Sequence, residues 1–139
     1  GGFGGERPPR AKRIPLPERE PDFETRERVA PTQALLYRLS GDYNPLHADP
    51  EFAAKVGFDR PILHGLCTFG YAGRAVLHGA CDGHPERLQQ LHSQFSNPVF
   101  PGETLIVRGW KEGDRVLIAA HTEERPKEAC LSQAFAVLS

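Results

Sequence analysis

His64-Gly65-Leu66-Cys67-Thr68-Phe69-Gly70-Tyr71-Ala72-Gly73-Arg74-Ala75-Val76-Leu77-His78 is the stretch on which the fold turns. Read as a helix, its Leu66, Cys67, Phe69, Tyr71, Ala72, Ala75, Val76 and Leu77 leave almost no polar face, so other structure must wrap around it. Downstream the apolar period shortens to two. Leu91, Ser93 and Phe95, then Leu105, Val107 and Gly109, then Val116, Ile118 and Ala120, alternate as strand residues do. Lys111-Glu112-Gly113-Asp114 is a tight connection, Glu124 to Lys127 reads as another, and Glu128 to Leu138 as a final long strand. A buried helix followed by an antiparallel meander predicts an α+β layer in which the sheet curls around the helix.

Upstream, Ala34, Leu35, Leu36 and Leu39 share one side of a short helix that Thr32 caps and Ser40-Gly41 ends. A second helix starts at an Asp49 cap with Pro50 in its first position. Phe52, Ala53 and Val56 form its apolar side, and Gly57 terminates it. Residues 1–22 hold Gly at 1, 2, 4 and 5 and Pro at 8, 9, 15, 17 and 21, which predicts a linker or extended arm ordered only by lying on another surface. The folded domain is expected over 23–139. The short basic run of Arg7, Arg10, Lys12 and Arg13 reads as solvated linker rather than a phosphate contact.

With 17 Lys and Arg against 18 Asp and Glu, the chain has no general electrostatic pull toward nucleic acid or an anionic membrane, and neither is expected as a partner. No apolar run is long enough to span a bilayer, and no apolar leader opens the sequence. Cys67, Cys81 and Cys130 form no C-x-x-C pair, which fits a reducing compartment; Cys67 reads as a small core residue. His78, His84 and His92 lack the spacing of metal ligands, and no metal is expected. The opening Gly1 and the lack of any Met point to a processed or excised piece of a longer product.

Between the two short helices lies Tyr37-Arg38-Leu39-Ser40-Gly41-Asp42-Tyr43-Asn44-Pro45-Leu46-His47. It brings a carboxylate, an amide and an imidazole close together in a segment that Gly41 and Pro45 keep irregular. Asp42 and His47, oriented by Asn44, form a set able to bind and activate water. The plainer alternative is a pair of Asx turns with a packed histidine. Further on, Pro61-Ile62-Leu63-His64-Gly65 leads into the apolar helix and places a glycine amide in its first turn, where free N–H groups face negative charge. Here too a plainer alternative stands: Gly65 helps the chain turn.

Together, Y-R-L-S-G-D-Y-N-P-L-H-A-D-P at 37–50 and G-F-D-R-P-I-L-H-G-L-C-T-F-G at 57–70 resemble the hydratase 2 motif of the MaoC-like family, and within it the second half of the hydratase 2 units of eukaryotic peroxisomal multifunctional enzymes. The likeness continues through Phe95-Ser96-Asn97-Pro98-Val99-Phe100-Pro101-Gly102 and Trp110-Lys111-Glu112-Gly113. It implies a hot-dog fold and (R)-specific hydration of trans-2-enoyl-CoA in fatty-acid β-oxidation, with no cofactor beyond the coenzyme A of the substrate. By resemblance, Asp42 and His47 are the acid-base pair, Asn44 supports them, and the Gly65 amide binds the thioester oxygen. Tyr43, Pro45, Leu46 and Phe95 are placed at the substrate, although Phe95 by itself reads as core packing. The resemblance also implies a partner, either a first hot-dog half or a second copy of the chain. It implies a peroxisomal address too, although Val137-Leu138-Ser139 is not an S-K-L signal. Three competing readings are a hot-dog thioesterase, an acyl-carrier-protein dehydratase, and a non-catalytic acyl-thioester-binding or dimerisation module. The intact Asp42, Asn44, His47 and Gly65 argue against the last.

Overall fold

The computed structural model describes residues 14–139; the glycine-rich opening and the basic run at Arg7, Arg10, Lys12 and Arg13 lie outside the described residues. The decisive helix, α3, runs Gly65–Ala80 and buries Cys67, Thr68, Ala72, Ala75, Val76 and Ala80. Its small residues let the backbone lie close to the sheet. The expectation of cover all round needs correcting, because Leu66, Gly70, Arg74 and His78, each one turn on from the last, form an exposed stripe. One five-stranded sheet covers one side of a helix, and the apolar excess on the other side remains open.

The strands are β1 (Phe23–Arg28), β2 (Leu88–Phe95), β3 (Thr104–Glu112), β4 (Arg115–Thr122) and β5 (Arg125–Leu138). They form one antiparallel sheet in the order β1-β3-β4-β5-β2. Leu105, Val107, Val116, Ile118, Leu131, Ala134 and Ala136 share a continuous core with α3. Each fully buried Leu, Ile or Val side chain contributes about 1.5–3 kcal/mol. β3, β4 and β5 are the expected meander. β2 does not join β3, however; it lies beyond β5, so the segment from Ser96 to Glu103 crosses from one part of the sheet to the other.

That crossover is fastened by an ion pair between buried Glu103 and half-buried Arg125. Arg125 donates from Nε and Nη2 to the two carboxylate oxygens of Glu103, at 2.9 and 2.8 Å, and from Nη2 to the Pro98 carbonyl at 2.6 Å. The Phe100 amide donates to the same carboxylate at 2.9 Å. Burial pushes the Glu103 pKa up, but the Arg125 and Phe100 hydrogen bonds outweigh it and hold the carboxyl below its ordinary value.

β1 is the element the apolar pattern does not show, since Phe-Glu-Thr-Arg-Glu-Arg carries one large apolar side chain. The edge position tolerates its charges, and Arg26 and Glu27 pair with Glu123 and Arg74. Phe23 anchors it in a slot between Gly79 of α3 and Gly109 of β3; a Cβ on either glycine would collide with the ring. At the other connection, Thr122 pairs directly with Arg125, so the turn is Glu123-Glu124 and β5 starts three residues before the expected Glu128. Residues 126–128 bulge out, and the register with β4 shifts twice more before pairing becomes regular from Ala134. The proline and charges that read as a turn therefore mark a bulge. Gln133, at φ +50°, falls at a shift in the pairing of β5 with both β4 and β2, and such departures curl a sheet.

Of the short helices, α2 (Pro50–Lys55) follows the sequence at its ends. The Asp49 carboxylate accepts from the amides of Glu51 and Phe52, and Gly57 at φ +93° closes it. Only Ala53 is buried, while Phe52 and Val56 face outward. α1 (Gln33–Tyr37) passes into a 3₁₀ turn at Arg38–Ser40, and Thr32 makes no side-chain cap. Its leucines also reverse the expectation: Ala34 is buried, but Leu35, Leu36 and Leu39 are 48, 64 and 67% exposed. Before β1, residues 14–22 lie along the sheet. The Ile14 amide donates to Gln133 Oε1 at 2.7 Å, Trp110 Nε1 to the Arg19 carbonyl at 2.8 Å, and the Lys111 amide to Asp22 at 2.6 Å.

Candidate active site

Three segments meet at the N-terminal end of α3. The first is the loop after Gly41, which at φ +113° turns the chain out of the preceding 3₁₀ turn. The Asn44 amide donates to Asp42 Oδ1 at 3.3 Å, and Asn44 Oδ1 accepts from the Leu46 amide at 3.0 Å. These are Asx-type bonds. They start a second 3₁₀ turn, Pro45–His47, with Pro45 in its first position. The Asn44 side chain thus acts through the backbone, by holding the turn that carries His47. Tyr43 is exposed under the Arg38 guanidinium, 5.4 Å from its ring centre. Leu46 is half-buried, and its carbonyl accepts from the Ile62 amide at 3.3 Å.

The second segment runs from Ile62 to Gly65. His47 is buried and its Nδ1 lies 2.8 Å from the Ile62 carbonyl. A carbonyl only accepts, so Nδ1 carries a proton, and it is Nε2 that can take up or give a second one. His64, just ahead of α3, is 1% exposed, and its Nε2 lies 3.2 Å from the Asp42 carbonyl. The two imidazoles stack with centroids 3.7 Å apart. Burial lowers the His64 pKa; the Asp42 carbonyl opposes this and the neighbouring His47 adds to it. Asp42, His47 and His64 each offer a ligand-type atom within 4.8 Å of the others, with Asp42 exposed. Such a triad meets the donor count of a divalent-metal site, yet one nitrogen of each ring already faces a backbone carbonyl.

The third segment is the end of β2 and the crossover. The Phe95 ring lies over Gly65, so close that a Cβ there would sit 3.2 Å from it, and the ring is otherwise 57% exposed. Gly65, Thr68, Phe95 and Asn97 open onto a cavity of about 330 Å³ with Cys130 in its wall. Burial pushes the Cys130 thiol up to about 11 and raises that of Cys67 as well, so neither is poised as a nucleophile. Asp42, Asn44 and His47 on one side, and Gly65 and Phe95 on the other, are therefore brought to the same helix end. Residue types and spacing do not mark out His64 or the Ile62 carbonyl. The one available signal is a histidine directly before the helix-opening glycine.

An antiparallel sheet laid on a central helix is the hot-dog fold. The MaoC like domain model matches residues 13–131, and the chain belongs to the MaoC-like family. It is 53% identical over 114 residues to "Enoyl-CoA hydratase 2, peroxisomal" of Arabidopsis thaliana, which covers 82% of this chain and 37% of that protein. It is 48% identical over 118 residues to "Peroxisomal multifunctional enzyme type 2" of Mus musculus, covering 84% of this chain and 16% of that one. The crystal structure of a MaoC-like dehydratase from Phytophthora capsici superposes with a TM-score of 0.89 at 43% identity, over 99% of this chain and 47% of the other. The chain thus spans less than half the length of each.

Proposed function

We propose that this chain carries the catalytic half of an (R)-specific 2-enoyl-CoA hydratase of peroxisomal type, acting in fatty-acid β-oxidation. The observation that carries the reading is the His47 Nε2 beside the Asp42 carboxylate, at the end of the helix that opens with Gly65. The substrate's thioester oxygen accepts from the Gly65 amide, in a position where backbone N–H groups are without intrahelical partners. This draws electron density from C3. Water held between Asp42 and His47 gives a proton to His47 Nε2 as its oxygen bonds to C3. The resulting enolate, stabilised at the helix end, takes at C2 the proton held by the His47 imidazolium, which restores the neutral ring and gives the (3R)-3-hydroxyacyl-CoA. Phe95 covers the glycine and shapes the cavity for the acyl chain; Tyr43, Pro45 and Leu46 are assigned to the substrate by resemblance to the family motif.

A partner belongs to the same proposal. Leu35, Leu36, Leu39, Tyr43, Leu66 and Phe95 are all exposed on segments that build or adjoin the site. A second hot-dog unit, either another half of a longer chain or a second copy, would cover them. No helix among the described residues is long and apolar enough to cross a membrane.

The test is loss of the conjugated enoyl-CoA absorbance, with the product's configuration read by an (R)-specific dehydrogenase. It is run on the chain alone and with a first hot-dog half supplied by fusion. (R) product in either form, abolished by Asp42→Asn, is the expected result. No turnover in both forms would remove the hydratase assignment and favour an acyl-thioester-binding module. Release of free thiol instead would mark a thioesterase.

A further inference from the structure

One polar group at the site with no role in the chemistry above is His64. It is almost fully buried, and it sits where a helix cap would stand, yet its side chain makes no cap bond. Its Nδ1 has no hydrogen-bond partner among the described residues. An unpartnered buried nitrogen destabilises a fold, and a phenylalanine of similar shape would avoid that. What the imidazole provides is geometry. Its Nε2–H donates to the Asp42 carbonyl, its face stacks on His47, and its far side meets the Tyr37 ring at 4.8 Å. Its own backbone leads directly into Gly65.

We propose that His64 is a positioning residue that locks the Asp42 loop, the His47 ring and the start of the Gly65 helix into one arrangement, leaving one of its own nitrogens unpartnered. This deepens the hydratase reading and, for its kinetic consequence, rests on it. The carbonyl contact requires a proton on His64 Nε2, and in the neutral ring that burial favours this leaves Nδ1 as the lone pair. Burial, the stacked His47 and the positive charge of nearby Arg38 favour the neutral ring, and they outweigh the Asp42 carbonyl and carboxylate, which favour the charged one. Without the lock, Asp42 hangs on an exposed loop held by two Asx bonds, and the His47 ring has a free face. Misplacement of reacting groups by about 1 Å is enough to slow a reaction on the order of a hundredfold.

Two variants separate positioning from mere packing. His64→Phe keeps the stacked ring but loses the donor and the orphaned nitrogen; His64→Gln keeps an N–H near the place of Nε2. Two readouts are taken on the chain: the ¹⁵N tautomer spectrum of His47, and kcat and KM for enoyl-CoA hydration alongside the melting temperature. The expected result is that His64→Phe melts no lower than wild type, loses the single Nδ1–H tautomer of His47, and drops in kcat about tenfold to a hundredfold. KM stays within about twofold, because the groups displaced act in the transition state rather than in binding. His64→Gln regains most of the kcat. A His64→Phe chain with wild-type kcat and an unchanged His47 tautomer overturns the proposal, as does a kcat loss in both variants that simply follows their melting temperatures. If the wild type shows no hydration at all, the hydratase reading fails by itself. The tautomer comparison still decides the lock, and an unchanged His47 spectrum in His64→Phe sinks it.

Discussion

The two ends of α3 each hold a glycine against an aromatic ring, and they use it for opposite purposes. At the C-terminal end Gly79 is steric relief. Together with Gly109 it makes the slot that takes Phe23, and everything around it is packing. At the N-terminal end Gly65 also sits under a ring, that of Phe95, but this ring is exposed and the neighbours are polar. Close to Gly65 lie an orphaned nitrogen, an exposed carboxylate and a stacked imidazole pair, features that weaken a fold and equip a site. One helix thus separates stability and chemistry along its length. A glycine's meaning is read from what surrounds it rather than from its identity.

The sharpest test of that division is at the polar end. Asp42→Asn or His47→Gln is expected to reduce turnover about a hundredfold or more while leaving the melting temperature nearly unchanged, as steady-state rates and calorimetry on the same samples would show. At the packed end, Gly79→Ala or Gly109→Ala is expected to do the reverse. The added methyl must displace the Phe23 ring, with a loss of about 1–3 kcal/mol in denaturant unfolding and turnover per folded molecule intact. If Gly79→Ala impaired kcat at full occupancy of the folded state, the two ends would not be independent. Gly65→Ala is the intermediate case. The nearest atoms its Cβ would meet belong to the movable Phe95 ring, at 3.2–3.3 Å, so stability should change by less than about 1 kcal/mol. Turnover should still fall about tenfold, because the methyl crowds the approach to the amide.

The smallest effect expected is on the pH dependence of stability. His64 and His121 are both held below their ordinary value of 6.5, chiefly by burial, with Arg108 adding to the effect on His121. As pH falls below about 6.5, the unfolded chain takes up these protons before the folded one does, so unfolding free energy declines there and levels off below the folded pKa values. Glu103, held below its ordinary value of 4.5, contributes stability that is present above that pH and is lost as pH falls through its folded pKa. Urea unfolding at a series of pH values should therefore show two separate declines. Replacing His64 by Phe should shrink the upper one, and an unchanged upper decline in that variant would assign it to His121 alone.

Much of this arrangement is legible in the residues, and what is not has identifiable reasons. The helix, the meander and the Asp49 cap follow from local pattern, because each is fixed by neighbours in sequence. β1 does not, since its charges suit an edge and its Phe23 is held by glycines from two distant elements. The outward leucines of α1 defeat an amphipathic reading, which assumes that the apolar side faces the chain's own core. The placement of β2 beside β5 is a long-range choice that no strand periodicity encodes. At the site, the motif brings attention to Asp42, Asn44, His47 and Gly65. The carbonyls that set the tautomers of His47 and His64 belong to Ile62 and Asp42 and depend on backbone path alone.

The strand order has one further consequence, for how the chain comes into being. β1 waits for β3 and β2 waits for β5, so both edges of the sheet are completed from the last third of the sequence. The closing contacts are at its very end, where the Leu138 amide donates to the Asp114 carbonyl and the Ser139 amide to that of Arg87. During synthesis the apolar helix is therefore complete well before the strands that will cover it. From that moment until Leu138 clears the ribosome, the apolar helix lacks the strands that will shield it, and this interval is one of exposure to aggregation.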